Sequence, residues 1–265
     1  MMPPVGTDLV DVAENGWGLV PSLAAIRRQV EPELILIDQL GSASFRLALR
    51  NRFSAAELDE RLAYVRGFFA GGGRPEFTWV VGTRSTPPGL AARLLADGAR
   101  PAADDAEMAA MVLTEEPARV DGVELRLSTT FEDLLVVRDL TATIFGVPAA
   151  DVPTDEAMRG IWEQIRGSDN RTFIAYVDGV PVGRATCSPT EAGPMELANA
   201  GVLPAYRGRG IYRALVRARW DEAVRRGAPV LVTQAGAMSR PILEGLGFRV
   251  VGTILRLEDG HPADT

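Results

Sequence analysis

The stretch VLPAYRGRGIYRAL, residues 202–215, joins a β-like segment to an amphipathic helix through a proline and two closely spaced glycines. Gly208 and Gly210 permit backbone angles that other residues avoid, and a helix N-terminus presents N–H groups without helical partners beside the positive end of the helix dipole. The turn therefore predicts an anion site, to which Arg207 and Arg209 add positive charge. A tight strand-to-helix connection with exposed arginines is the alternative interpretation.

The composition excludes several classes of protein. A length of 265 residues suits two compact units. All 28 cationic residues are arginine, so a P-loop lysine and Schiff-base chemistry are both excluded. The net charge of −7 disfavours non-specific binding to nucleic acid. No apolar run approaches the roughly 18 to 20 residues of a membrane span, so we expect no membrane partner.

Cysteine and histidine each occur once, as Cys187 and His261. This count excludes an internal disulfide and gives little support to a histidine-based triad or to a metal site, so we expect no metal. We interpret Cys187 as a small core residue. The first ten residues lack the basic and apolar regions of a secretory signal, and we therefore expect a cytoplasmic protein.

The second half of the chain shows an ordered series of helix and strand patterns. Thr129 and Glu132 have the spacing of a capping box before a helix. Asp178 and Gly179 join two β-branched and aromatic runs, which predicts a hairpin. Together with the flanking patterns these signals predict the order β, α, α, β, β, β, α, β, α, β.

The end of the first half has a sequence pattern similar to that at the end of the second half. Its segments FTWVVG, PGLAARLLADGA and MAAMVL repeat the strand, helix, strand order of PVLVTQ, RPILEGLGF and VVGTILRL, which aligns Gly98 with Gly247. The match is short, so an internal duplication and a chance similarity both stay open. Proline and charged residues in TEEPARVDG, residues 114–122, predict two domains, 1–120 and 121–265.

A known family accounts for these features together. A dinucleotide-binding fingerprint would need glycine at position 213, which is arginine. The stretch VLPAYRGRGIYRAL, with a β-meander before it and RPILEGLGF after it, resembles the acetyl-CoA site of the GNAT superfamily of N-acetyltransferases. The family signature is Gln or Arg, two residues, Gly, one residue, then Gly or Ala. Arg207 and Gly210 satisfy this signature, whereas Tyr212 replaces the small residue.

The resemblance implies an α/β fold in which helices flank a central mixed, mostly antiparallel sheet. A second, smaller and related α/β domain, without the glycine-rich turn, would precede it. Acetyl-CoA would be the cosubstrate, its pantetheine arm paired with the backbone of Val202 and Leu203 and its pyrophosphate held by the turn. The turn that holds the pyrophosphate would form a cradle. The side chain of Tyr212 would either narrow this cradle or point into the protein. The implied cofactor-binding residues are Val202, Leu203, Arg207, Gly208, Arg209, Gly210, Ile211 and Tyr212.

Acetyl transfer to an amine requires a base, and Glu196 stands where some family members carry a glutamate. Strand alternation would place Glu196 and Val202 on one face, where burial would raise the pKa of the carboxyl group. An exposed carboxylate at a strand end is the alternative. For the acid, Leu243 replaces the tyrosine of many relatives. Ser239, Tyr206, Tyr212 or no acid at all remain as options.

Two functions follow from the resemblance. The first is direct acetyl transfer to a primary amine of a small molecule or peptide, with Glu196 as base and Ser239 as a candidate acid. The second is a non-catalytic module that binds or senses acyl-CoA, suggested by the departures at Tyr212 and Leu243. Neither the acceptor nor the oligomeric state follows from the sequence.

Overall fold

A computed structural model of the chain describes residues 7–21, 26–39 and 45–260, and His261 lies outside them. The elements of the first part are α1 (Leu9–Leu19), β1 (Ile26–Val30), β2 (Ile35–Gln39), β3 (Arg46–Leu49), α2 (Leu58–Ala70), β4 (Phe77–Gly82), α3 (Leu90–Ala96), β5 (Arg100–Pro101) and β6 (Glu107–Leu113). The second part contains β7 (Glu124–Leu127), α4 (Phe131–Phe145), α5 (Asp155–Ile165), β8 (Arg171–Val177), β9 (Val180–Pro189), β10 (Met195–Val202), α6 (Ile211–Arg225), β11 (Leu231–Ala235), α7 (Arg240–Glu244) and β12 (Arg249–Asp259).

The predicted element order of the second half and the predicted mixed α/β fold class are both confirmed. Asp178 and Gly179 have φ values of 51° and 77°, as the tight turn of the β8–β9 hairpin requires. The start of α4 differs by one residue from the prediction. Its capping box joins Thr130 to Asp133 rather than Thr129 to Glu132, because the carboxylate of Asp133 accepts the N–H groups of both preceding threonines.

The chain forms two compact units. The central unit comprises residues 113–232 together with Thr7, and the composite unit comprises residues 8–112 and 233–260. The sheet of the central unit has the order β11-β10-β9-β8-β7, in which only the β10–β11 pair is parallel. In its core, residues of β8, β9 and β10 pack against α6: Ala175, Val182, Ala185, Val202, Ile211 and Leu215.

The composite unit contains the final strand of the chain. Its sheet has the order β1-β2-β3-β4-β12-β6, with β12 antiparallel to both β4 and β6. Asp259 at the end of β12 accepts hydrogen bonds from Trp79 Nε1 at 2.8 Å and from Arg66 Nε at 2.9 Å. These units differ from the expected division at residue 120, because β12 pairs with strands of the first half. That residues 121–265 form a separate domain stays a prediction.

Candidate active site

Glu196 lies near the start of β10, where the strand is paired on both edges. It is opposite Ser188 of β9, and its register partner in the parallel β11 is Val232. The β9–β10 register then shifts between Ala198 and Gly201, since three steps along β10 match two steps along β9. Asn199 within this bulge has a φ of 46°. A bulge of this kind bends a strand and redirects the side chains that follow it.

The bulge corrects one expectation about the face of β10. Glu196 and Ala198 share a face with Gly201, whereas Val202 is opposite Gly183 and packs in the core beside α6. Helix α4 covers the face of Gly201, because a Cβ on Gly201 would lie 2.3 Å from Ile144 Cγ2. The simple alternation that placed Glu196 and Val202 on one face is therefore wrong.

The carboxyl group of Glu196 is buried without a hydrogen-bond partner. The residue is 1% exposed, and neither Oε1 nor Oε2 has a partner within the described parts of the chain. Burial raises the pKa of Glu196 well above its ordinary value, because a charged carboxylate loses its hydration there. Glu196 is therefore not the exposed strand-end carboxylate of the alternative interpretation, and an unpaired group with this pKa can accept a proton.

The turn after β10 presents a row of backbone donors. A 3₁₀ turn over Pro204–Tyr206 leads to Gly208 and Gly210, with φ values of 78° and 77°. The first backbone hydrogen bond of α6 runs from Ala214 N to Gly210 O at 3.0 Å. Across the described residues, no acceptor takes the N–H of any residue from 208 to 212. No atom of the residues that the structure describes lies within 4 Å of a Cβ placed on Gly208, so this side of the turn is open to them.

Three arginines surround the open turn. Arg207, Arg209 and Arg213 are exposed, and none of them forms an ion pair within the described ranges. Arg209 lies over the ring of Tyr206, with 5.2 Å between the guanidinium carbon and the ring centroid. Unpaired donors at a helix N-terminus, together with unpaired cations, form an arrangement that can bind a phosphate group.

Tyr212 does not fill this cradle. Its ring is partly buried and packs against the hydrophobic cluster that includes Ile211 and Leu215. Its phenol is close enough to Arg219 to oppose the lowering of that guanidinium's pKa by burial. Of the two expected orientations of Tyr212, the structure shows the one that points into the protein.

The backbone groups expected to meet the pantetheine arm have partners inside the protein. Leu203 N donates to Val182 O at 2.8 Å, and Leu203 O accepts from Tyr206 N at 2.9 Å. Val202 O accepts from Arg207 Nε at 3.2 Å. A ligand N–H that pairs with Val202 O would therefore share this oxygen with Arg207 Nε or displace it.

The remaining candidates lie in different environments. Ser239 precedes α7 in the composite unit, and its hydroxyl is 3.4 Å from Gly236 O. Leu243 is 3% exposed and is a core residue of that unit. Cys187 is fully buried, and burial raises the pKa of its thiol to about 12, as expected for an inert core residue.

Two features are absent from the described residues. In those ranges, no group of three or more His, Cys, Asp or Glu side chains could hold a metal ion. No helix among them is both long and apolar enough to cross a membrane.

The strand order, the bulged β10 and the glycine-rich turn before α6 together define an acetyltransferase-like α/β fold. Residues 135–248 match the model of the acetyltransferase (GNAT) family. This segment, 114 of the 265 residues, is therefore similar to a GNAT acetyltransferase domain. No curated protein sequence matches the chain significantly.

Solved structures show the same fold over most of the chain. A GCN5-related N-acetyltransferase from Kribbella flavida is 18% identical with a TM-score of 0.71, over 97% of this chain and 98% of that one. A tandem GNAT protein from the clavulanic acid biosynthesis pathway is 17% identical with a TM-score of 0.62, over 96% and 89%. A GCN5-related N-acetyltransferase from Sphaerobacter thermophilus is 17% identical with a TM-score of 0.61, over 87% and 81%. At these identities the likeness shows the fold alone.

Sequence reasoning missed two features of the site. The first is the bulge at Asn199, for which the adjacent Gly201 was a weak signal. The second is Arg184 of β9, which is 6% exposed and lies on the same face of the sheet as Glu196. An arginine inside an apolar strand run is unusual, and this rarity could have identified it.

Proposed function

We propose that the protein is an acetyl-CoA-dependent N-acetyltransferase that moves an acetyl group directly to a primary amine of a small molecule or peptide. GNAT-family acetyltransferases use acetyl-CoA, and the match of residues 135–248 supports this assignment. The observation that carries the proposal is the row of N–H groups from residue 208 to residue 212 that have no acceptor in the described ranges. A small amine acceptor, a cytoplasmic location and independence from metals, nucleic acid and membranes belong to the same proposal.

The turn would hold the pyrophosphate of acetyl-CoA. The N–H groups of residues 208–212 would donate to its oxygens beside the positive end of the dipole of α6. The left-handed conformations of Gly208 and Gly210 orient these donors, and the open side of Gly208 gives a phosphate access to them. Arg207, Arg209 and Arg213 would add charge around the cradle.

Glu196 would serve as the base. The bound thioester supplies an activated acetyl group, so the chain's main task is to bring a neutral amine to it. An acceptor amine is an ammonium ion in neutral solution and must lose a proton before it can attack. The buried carboxylate can take that proton, directly or through one water. For the departing thiolate, Ser239 and Tyr206 stay candidate acids, whereas the ring of Tyr212 packs against the core.

Calorimetric titration with acetyl-CoA tests the proposal. Gly208→Asp puts a negative charge into the cradle, and aspartate tolerates the positive φ of this site. Gly122→Asp is the matched control, because Gly122 also has a φ of 78° and no atom within 4 Å of a Cβ. We expect binding to the wild type and the control and at least tenfold weaker binding to Gly208→Asp. Equal binding to all three proteins would refute the assignment of the cradle.

The second candidate function is a module that binds acyl-CoA without transferring the acyl group. Its support is Leu243, a buried residue without a hydroxyl group at the position of the usual tyrosine. Both functions require acetyl-CoA binding, but only the enzyme releases thiol when an amine is added. Release that depends on the amine and is lost in Glu196→Gln supports the enzyme. Binding without such release, across a panel of amines, supports the module.

A further inference from the structure

Arg184 is a buried cation without a counter-ion. Its Nη1 donates to Thr141 Oγ1 at 3.1 Å and its Nη2 to Thr186 Oγ1 at 2.7 Å, while its Nε has no acceptor in the described residues. No carboxylate within the described ranges pairs with it. Burial, and secondarily the charge of Arg219, lower the pKa of Arg184 to about 10. The guanidinium therefore lies in a place that disfavours its own charge.

Arg46 in the composite unit shows the usual arrangement. It is 2% exposed, its Nε pairs with Asp38 Oδ1 at 2.9 Å, and its other nitrogens donate to two backbone carbonyl groups. Arg184 has no such partners, although its replacement would leave neither threonine unsatisfied. Thr141 also donates to Val137 O at 2.6 Å, and Thr186 bonds to Thr172 at 2.9 Å. The fold does not need Arg184 to satisfy these neighbours.

The guanidinium contacts one threonine near the candidate base and another that lines a cavity. Thr186, which it contacts, is opposite Ala198, the next residue after Glu196 on the same face of β10. Side chains two residues apart on a strand are about 7 Å apart. Its other partner, Thr141, lines a cavity of about 200 Å³ between α4 and α5. Apart from Arg138 and Thr141, the lining is apolar: Val137, Ala142, Val147, Val152, Pro153 and Met158.

We propose that Arg184 binds a carboxylate group of the amine acceptor. This inference rests on the proposed function and specifies its substrate class. A carboxylate at the free Nε would supply the missing counter-ion and form a charge-assisted hydrogen bond. The spacing along β10 places the reacting amine several bonds from that carboxylate. The acceptor class is therefore an amino acid or peptide whose amine and carboxylate are separated by a short apolar spacer.

The first test measures binding without turnover. Sodium butyrate is added at fixed ionic strength, with butyramide as the neutral control, and the melting temperature of the full chain is recorded. We expect butyrate to raise the melting temperature of the wild type and of Gly122→Asp, but not that of Arg184→Met. If butyrate raises the melting temperatures of wild type and Arg184→Met equally, or raises neither, the proposal is wrong.

The variant also separates a binding role from a structural one. If Arg184 is retained for binding, the melting temperature of Arg184→Met without ligand stays the same or rises by about 2 to 4 °C. Arg46→Met, which leaves Asp38 without its buried partner, should lower it. A clear loss of stability in Arg184→Met would make Arg184 a structural residue and overturn the proposal. Arg184→Lys keeps the charge and should keep part of the butyrate effect.

The second test compares 4-aminobutyrate with 4-aminobutyramide as acceptors. In the wild type, we expect the kcat/KM for 4-aminobutyrate to be at least tenfold higher than that for 4-aminobutyramide. In Arg184→Met, the ratio of the two kcat/KM values should be near one. An unchanged ratio in the variant would contradict the assignment. Failure of the proposed function can be distinguished from failure of this inference, because calorimetry with acetyl-CoA reports on the turn and not on Arg184. A protein that binds butyrate through Arg184 but not acetyl-CoA would keep the anion site and lose the transferase.

Discussion

Val202 and Glu196 lie on opposite faces of β10, because the bulge at Asn199 adds one residue between them. Without the bulge, six residues along a strand would return a side chain to the same face. The added residue lets Val202 pack beneath α6 while Glu196 and Gly201 lie on the face that α4 covers. One strand thus contributes to the packing of α6 on one face and carries the candidate base on the other.

Glu196→Gln should keep acetyl-CoA binding and lose most of the transferase activity. Glutamine has the same shape but cannot accept the ammonium proton, and general bases contribute about 10²- to 10⁴-fold to the rate. Thiol release with a saturating amine measures the effect. Glu124→Gln, at an exposed position of β7, is the control and should keep its activity. If Glu196→Gln kept full activity, Glu196 would not be the base.

The stability of the protein should depend on pH through Glu196. Burial raises its pKa in the folded state, so the folded state holds this proton at a pH where the unfolded chain has lost it. The stability that the proton provides is complete below about pH 4.5 and is lost as the pH rises through the folded pKa. In denaturant unfolding, the stability of the wild type should therefore fall more than that of Glu196→Gln as the pH rises above about 4.5.

Glu14 of α1 also has a pKa raised by burial, so the wild type alone would not isolate Glu196. The difference between wild type and Glu196→Gln removes that shared contribution. Parallel curves for the two proteins over the whole range would contradict the buried, unpaired state of the carboxyl group.

Tyr212 should matter for stability rather than for cofactor binding. Because its ring packs on the core beside Ile211, Tyr212→Ala should cost about 2 to 3 kcal/mol of folding free energy. Tyr212→Phe should keep the acetyl-CoA dissociation constant within about twofold, since the ring does not enter the cradle. Calorimetry and denaturant unfolding together measure both effects. A large loss of affinity in Tyr212→Phe would place the phenol in the cofactor site.

The buried ion pair of Asp38 and Arg46 should contribute strongly to the stability of the composite unit. The two side chains are 1% and 2% exposed and lie 2.9 Å apart. Asp38→Ala leaves the guanidinium uncompensated and should cost about 3 to 5 kcal/mol. Glu124→Ala removes only the solvent-exposed pair with Arg126 and should cost much less stability. Similar losses in urea unfolding for the two variants would contradict this difference.

Local signals in the sequence predicted the elements of the second half and the turn at Gly208 and Gly210. Hydrophobic periodicity, turn dipeptides and glycines determine structure within a few residues of their own position. The local structure can therefore be predicted from the sequence around them. The position of β12 between β4 and β6 depends on pairing with residues more than a hundred positions away, which no local pattern records. The local sequence marks Arg184 only as an unusual arginine in an apolar strand, whereas the absence of a counter-ion among the described residues is a property of the packed structure.

The central claim is that the turn before α6 binds the pyrophosphate of acetyl-CoA, and calorimetric titration of the full chain tests it most directly. Heat of binding in wild type and Gly122→Asp, with at least tenfold weaker binding in Gly208→Asp, is the predicted result. No heat in the wild type, or equal affinities in all three proteins, would contradict the claim and the proposed transferase activity with it.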